Sequence, residues 1–265
     1  MTEEQAAIIR LSVFIVIICS LLIAEWRWPF RRYPASKLKR LVDNLGLMFI
    51  SSASQRLLSA GGAFAVAVWA MQHNYGLFNY LPLPKWLEIS LTLLILDFAI
   101  YLQHIIFHKV RWLWRIHRVH HSDIGFDCTT AVRFHFIEIV LSTLYKMILV
   151  IAIGAPAIAV VTFEILLNGF ALFNHSNIHF RPSLDNWLRY FVITPDMHRI
   201  HHSRIWQETN SNYGFSIPWW DKLCGTYTAN PKLGQRELQI GLPDQPDFKP
   251  PGLIGLLLLP FQAKR

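Results

Sequence analysis

The sequence predicts an all-α integral membrane protein: four to five hydrophobic helices with a cytoplasmic helical cap that carries a histidine-rich dimetal site. Three observations lead there. Of 265 residues, 53% are hydrophobic, above the roughly 45–50% apolar share of soluble domains. The apolar residues gather into runs near the ~20 residues needed to span a bilayer. Ten of the twelve histidines fall into four tight clusters.

The formal charge is +8 and the isoelectric point about 9.6. A basic, apolar chain points to a membrane first and to nucleic acid second. The hydrophobic runs decide for the membrane, and no nucleic-acid partner is expected. Cys19, Cys128 and Cys224 have no metal-binding or redox spacing and suggest no disulfide framework. The N-terminus, "MTEEQAAIIRLSVFIVIICSLLIAEW", begins acidic and lacks a small-residue cleavage site. It reads as a retained span rather than a signal peptide.

The elements follow in order. Residues 6–24 form a first span, with only Arg10 near one end. Residues 45–71 form a second, marred by Gln55 and Arg56, and 87–107 a third. Residues 136–153 and 156–174 form two more, each near the minimum length. The turn Gly154–Pro156 joins them in an expected tight hairpin that either crosses or re-enters. Arg27, Arg31, Arg32, Lys37, Lys39 and Arg40 lie between the first two spans, and Lys109, Arg111, Arg115 and Arg118 follow the third. The loop between the second and third carries only Lys85. Positive loops stay in the cytoplasm, so the N-terminus is predicted outside and the histidine clusters inside. Most of the arginines serve as such markers and headgroup contacts; the rival reading is a specific acidic partner. Three regions result: 1–90, the N-terminal spans and a basic cytoplasmic loop; 91–230, the region with the histidine clusters; and 231–265, a Pro-rich tail ending "PPGLIGLLLLPFQAKR". The tail's apolar run is too short to span. It lies in the interface or over the site, or it packs into the core.

The clusters are His104/His108, His117/His120/His121, His175/His179 and His198/His201/His202. The chain writes His-x-x-His-His twice, at 117–121 and 198–202. On a helix, residues three and four apart share a face, so each cluster aims two or three imidazoles in one direction. Thr194, Pro195 and Asp196 suit the cap and first turn of a helix carrying the second word. Ten ligands are too many for one ion and comfortable for two. Nitrogen ligands without thiolate suit iron, zinc, copper or nickel, and spacing alone does not separate iron from zinc. Two stripes extend the pattern: Asp97, Tyr101, His104 and His108, and Glu164, Asn168, His175 and His179. Ionisable groups within spans are costly and are functional candidates by default. Asp97 and Glu164 either orient ligating histidines from behind or close interhelical hydrogen bonds. His73 falls at the opposite face and reads as interfacial.

The stretches "DFAIYLQHIIFH" (97–108), "WRIHRVHHSD" (114–123), "FNHSNIHF" (173–180), "TPDMHRIHHS" (194–203) and "NYGFSIPWWDKLCGTY" (212–227) resemble the fatty acid hydroxylase/sterol desaturase superfamily of membrane di-iron oxygenases. The resemblance covers roughly 90–230. It implies that the ten clustered histidines hold two iron ions, with zinc able to replace them in purified material. It also implies that O2 and two electrons hydroxylate or desaturate an unactivated C–H bond of a lipid, entering laterally from the inner leaflet. Glu138, Asn174, Asn212, Tyr213 and Asp221 in these and adjoining stretches join Asp97, Tyr101, Glu164 and Asn168 as candidates to support the ligands or line the substrate pocket. His135, in "RFHFIE", is another; many relatives have proline where Phe136 stands. No cytochrome b5-like segment is fused at either end, so a separate ferredoxin-like or cytochrome b5-like electron donor is expected. The rival readings are a metal transporter and a non-catalytic membrane metal-binding protein. A transporter would place its polar ligands at mid-membrane in paired repeats.

Overall fold

The computed structural model describes residues 1–32, 36–58, 61–245, 248–249 and 251–262, which contain helices and no β-strand. Helix α1 (Glu3–Arg27) starts at a capping box, in which the Thr2 side chain accepts from Gln5 N and the Gln5 side chain from Thr2 N. Helices α2 (Lys37–Leu58) and α3 (Gly62–Gln72) follow, then α4 (Lys85–Lys109), α5 (Arg111–His121), α6 (Phe136–Ile153) and α7 (Ala157–Asn174). Four of these, α1, α4, α6 and α7, are each long and apolar enough to cross a membrane.

The expected second span at 45–71 is not one helix. Gly61 and Gly62 take left-handed backbone conformations, with φ of +79° and +57°, which residues with a Cβ rarely adopt. The chain therefore breaks between α2 and α3. Both pieces still pack along α6. Ser51 on α2 donates to the carbonyl just before α6, that of Phe134, and Ala63 and Ala67 on α3 pack with Val150 near its end. Together they run along the length of α6.

The expected tight hairpin is also revised. Gly154 turns the chain with φ +69°, but α6 and α7 then diverge. Ala63 and Ala67 of α3 and Leu96 of α4 lie between Val150 of α6 and Val160 and Phe163 of α7, forming the main core.

These packings fix which helix ends lie together. Ala6 near the start of α1 meets Phe64 and Val161. At the other end of α1, Glu25 accepts from Cys128 N and Asn177 N, the latter just beyond α7. The C-terminal ends of α1, α4 and α7 and the start of α6 therefore share one end of the bundle. Short helices cover that end, α8 (Pro182–Leu188), α9 (Pro195–His201), α10 (Trp206–Thr209) and α11 (Trp219–Leu223) among them. The tail folds back: Leu256 and Leu259 are buried with Leu47 and Val119, while Ile254, Leu258 and Phe261 stay exposed. The core-packing reading of the tail holds on its buried face.

Candidate metal centre

Nine histidines converge at the covered end of the bundle. His104 and His108 sit on the last turns of α4. His117, His120 and His121 sit on α5, His175 just past α7, and His198, His201 and His202 on α9 and its C-cap. Each is at most 8% exposed. They form two groups: His104, His108, His117, His121 and His201; and His120, His175, His198 and His202. Within each group, one ring nitrogen per residue lies within 4.8 Å of all the others. The groups adjoin, with the His121 and His202 rings stacked at 4.5 Å.

The repeated word has a geometric meaning here. Residues four apart share a helix face, so His117 and His121 go to the first group and His120 to the second. In the second word the allotment is reversed: His198 and His202 go to the second group and His201 to the first. Each word serves both groups, and the two helices exchange one ligand each.

The tautomers can be read from the hydrogen bonds. Nδ1 of His104 donates to the Tyr213 carbonyl at 2.7 Å, that of His175 to Ala171 O at 2.7 Å, and that of His201 to Ser211 O at 2.8 Å. Nδ1 of His117 donates to Glu138 Oε1 at 2.7 Å. These four rings carry their proton on Nδ1, so each presents a lone pair at Nε2. Nε2 of His104 and His117 nevertheless face each other at 3.1 Å, where no proton is left to join them. Nε2 of His201 has no partner. Opposed lone pairs in a buried site need a cation between them. Burial, and then the neighbouring imidazoles, push His120, His121, His198 and His202 well below the ordinary histidine range. His201 falls to about 3, again chiefly through burial. These five are neutral near pH 7, the form that binds a metal. The donor set therefore fits two borderline metal ions.

His179 lies outside both groups, against the expectation of ten converging histidines. α7 ends at Asn174 and the following residues leave the helix. The four-residue spacing from His175 is therefore not helical. His179 Nδ1 donates to Asp196 Oδ2 at 2.7 Å, and its ring stacks on Phe30 at 4.4 Å.

The two stripes also serve other partners. Glu164 pairs with Arg10 and with Lys146, at 2.5 Å for the lysine, and so joins three helices rather than standing behind His175. Asn168 is exposed. Asp97 accepts from Trp220 Nε1 at 2.7 Å. Tyr101 donates to Thr226 Oγ1 at 2.9 Å, which itself donates to Asp221. His135 caps α6: its Nδ1 accepts from Ile137 N and its Nε2 donates to the tail at Leu257 O. The remaining candidates scaffold the site. Asp221, raised to about 6 by burial, accepts from Tyr213 N and Gly214 N at 2.8 Å. It thereby holds the carbonyl that orients His104. Asn212, at φ +50°, donates to Met197 O and Thr228 O. Asn174 donates to Phe215 O.

Among the described residues, Glu138 alone puts a carboxyl oxygen behind one of these nine histidines. Such partners typically contribute 10–100-fold in metal affinity. Glu138→Ala is expected to weaken metal binding by about that factor, while Glu138→Gln, whose amide oxygen still accepts from His117, loses much less. Chelator competition measures both; equal losses would remove the hydrogen bond from the account.

Sequence reasoning missed the three backbone carbonyls behind His104, His175 and His201, for which no residue type is a signal. It also read Arg40 as a topology marker. Arg40 is buried, its Nε 2.7 Å from Asp123 Oδ1 and its other nitrogens on Asp123 Oδ2 and Asp127 Oδ2. The adjacent Arg133 donates to Asn44, Val119 O and Ser122. This network anchors α2 to the segment that directly follows the first histidine word.

Comparison with known proteins agrees with the site. The profile of the fatty acid hydroxylase family matches residues 89–226, more than half of the chain. The chain is 31% identical over 157 residues to the ornithine lipid hydroxylase OlsE of Rhizobium tropici, covering 59% of this chain and 46% of that protein. It is 28% identical over 218 residues to the alkylglycerol monooxygenase of Xenopus tropicalis, 81% of this chain and 45% of that one. It is 26% identical over 146 residues to the cholesterol 25-hydroxylase of Mus musculus, 54% and 48%. The matches thus span about half the length of these relatives. No solved structure matches. With two adjoining groups of buried histidines at one end of a bundle of membrane-length helices, and the profile matched across all nine of these histidines, the chain belongs to the fatty acid hydroxylase family.

Proposed function

We propose that this chain is a membrane-bound, non-haem di-iron monooxygenase that uses O2 and two electrons to hydroxylate a lipid. The observation that carries the reading is the pair of adjoining, buried histidine groups at one end of the bundle. Iron bound there would supply O2 reduction and attack on an unactivated C–H bond. The residues do the rest. His104, His108, His117, His121 and His201 hold one ion and His120, His175, His198 and His202 the other. Glu138 and the three carbonyls hold the rings in register. Phe134, stacked on His120 at 4.4 Å, and Phe126, 5.2 Å from His202, keep water away. Hydroxylation is favoured over desaturation because the relatives are named hydroxylases and monooxygenases. Residues 91–230 form the catalytic region. The histidine end faces the cytoplasm, where Arg27, Arg32, Lys37, Lys39, Lys109 and Arg111 are exposed. The lipid enters from that leaflet, and a separate protein donates the electrons.

Comparative lipid mass spectrometry of cells with the intact chain and with His120→Ala tests this. The intact chain is expected to yield lipids heavier by one oxygen. Identical lipidomes, together with no oxygen incorporation by the purified iron-loaded protein, would sink the reading. Metal flux into proteoliposomes without lipid oxidation would favour a transporter instead.

A further inference from the structure

The histidine centre is closed to solvent, so electrons from another protein must reach it through the chain. A short aromatic path does so. Trp206, on α10, is 41% exposed. Its ring lies 5.7 Å from that of Trp114, centroid to centroid. Trp114, on the first turn of α5, is buried and lies 4.9 Å from His108 and 5.3 Å from His121. Two indoles thus connect the surface to two histidines of one metal group.

Trp114 is an expensive residue at this position. A buried indole N–H normally finds an acceptor, yet Trp114 Nε1 has none, and an unpaired buried donor costs about 1–3 kcal/mol. Leucine or phenylalanine would fill space without that cost. The feature they lack is a readily oxidised ring in contact with the ligands.

The surroundings of Trp206 identify the kind of donor. Gln207 beside it is exposed, as are Lys109 and Arg111 at the α4–α5 junction, Arg111 being one helical turn before Trp114. The exposed groups here are polar or positively charged. A second aromatic series runs from His104 through Tyr213, Tyr101 and Phe98 to Trp220. It follows α4 to Asp97 and ends at a half-buried tryptophan on α11, a longer route with more rings than the two-indole path.

We infer that Trp206 and Trp114 form the electron path into the histidine centre, and that the surface around Trp206, with Lys109 and Arg111, docks an acidic one-electron carrier protein. The inference rests on the proposed function. Each transfer oxidises the carrier by one electron. Two transfers, with two protons and O2, balance conversion of R–H to R–OH and water.

A reduced plant-type ferredoxin serves as the probe, mixed by stopped flow with the full-length ferric protein in nanodiscs. The readout is the absorbance change on ferredoxin oxidation, not product. Trp206→Leu and Trp114→Phe are expected to slow it severalfold at unchanged metal content, and Trp206→Tyr to restore most of it. Arg111→Glu is expected to slow association about tenfold at low salt and to flatten its ionic-strength dependence. Trp187→Leu, an exposed tryptophan on α8, leaves the rate unchanged. Hydrogen peroxide supplies both the oxygen atom and the reducing equivalents, giving R–OH and water from R–H. Peroxide-driven hydroxylation is therefore expected to be equal in Trp206→Leu and the unaltered chain. Wild-type ferredoxin oxidation by Trp206→Leu, or metal loss in that variant, would overturn the path and leave the proposed function standing. An unaltered chain that hydroxylates nothing even with peroxide would overturn both.

Discussion

His120→Ala is expected to abolish lipid oxidation and to empty the metal position of its group, while the protein still inserts in the membrane. His120 contributes one of four imidazoles to that group and contacts His175 at 3.1 Å. Losing it leaves three ligands and a gap beside Phe134. Insertion rests on apolar helices whose backbone hydrogen bonds are internal and need no metal. Metal analysis of the purified variant, with lipid oxidation beside it, measures the effect. His73→Ala is the control. Its ring bonds to Trp69 O in its own helix, at the other end of the bundle, so a change within about 0.5 kcal/mol and full activity are expected. Equal damage from the two variants would refute the placement of the site. His179→Ala distinguishes the nine-histidine centre from a ten-histidine one. Full metal content is expected, and loss of an ion would show that the ring turns inward to bind.

Asp123→Ala is expected to destabilise the covered end of the molecule by about 3–5 kcal/mol, as when one partner of a buried ion pair is removed. Arg40, 4% exposed, would lose both of its contacts to Asp123 and keep that to Asp127. Thr130 would lose the Asp123 Oδ2 acceptor, and Gly125 N the Oδ1. Thermal unfolding in detergent reports this, and a loss under ~1 kcal/mol would show the network to be dispensable. Arg40 also holds the Asp123 carboxyl well below the usual carboxylate range. A depressed folded pKa gives stability that is present above the unfolded value near 3.8 and lost as pH falls below it. Asp221 acts in the opposite sense. Its pKa is raised to about 6, so its contribution is complete below about 3.8 and lost as pH rises through 6. Asp123→Asn is expected to remove the acid-side loss, and Asp221→Asn the other.

The sequence by itself determined the class of molecule and nearly all of the site's membership. Apolar runs report burial in lipid directly, because a span needs only length and composition. The histidine words report a shared face wherever the backbone is helical, as it is at 104–108, 117–121 and 198–201. Where the helix stops, the spacing stops carrying information. Hence His179 reads as a ligand yet pairs with Asp196, and residues 45–71 read as one span yet break at Gly61–Gly62. Only the tertiary structure decided how the two words divide between the two metal groups, which carbonyls fix the tautomers, and which acids serve the centre. Asp97 and Glu164 lie on the right stripes, but other side chains reach them first, Trp220 for one and Arg10 and Lys146 for the other. Glu138 gains its place because the start of α6 lies against α5. Arg40 is charged like its neighbours in the basic loop and could not be told from them. It meets Asp123 across more than eighty residues of chain, and contacts of that range depend on how helices pack, which no local pattern encodes.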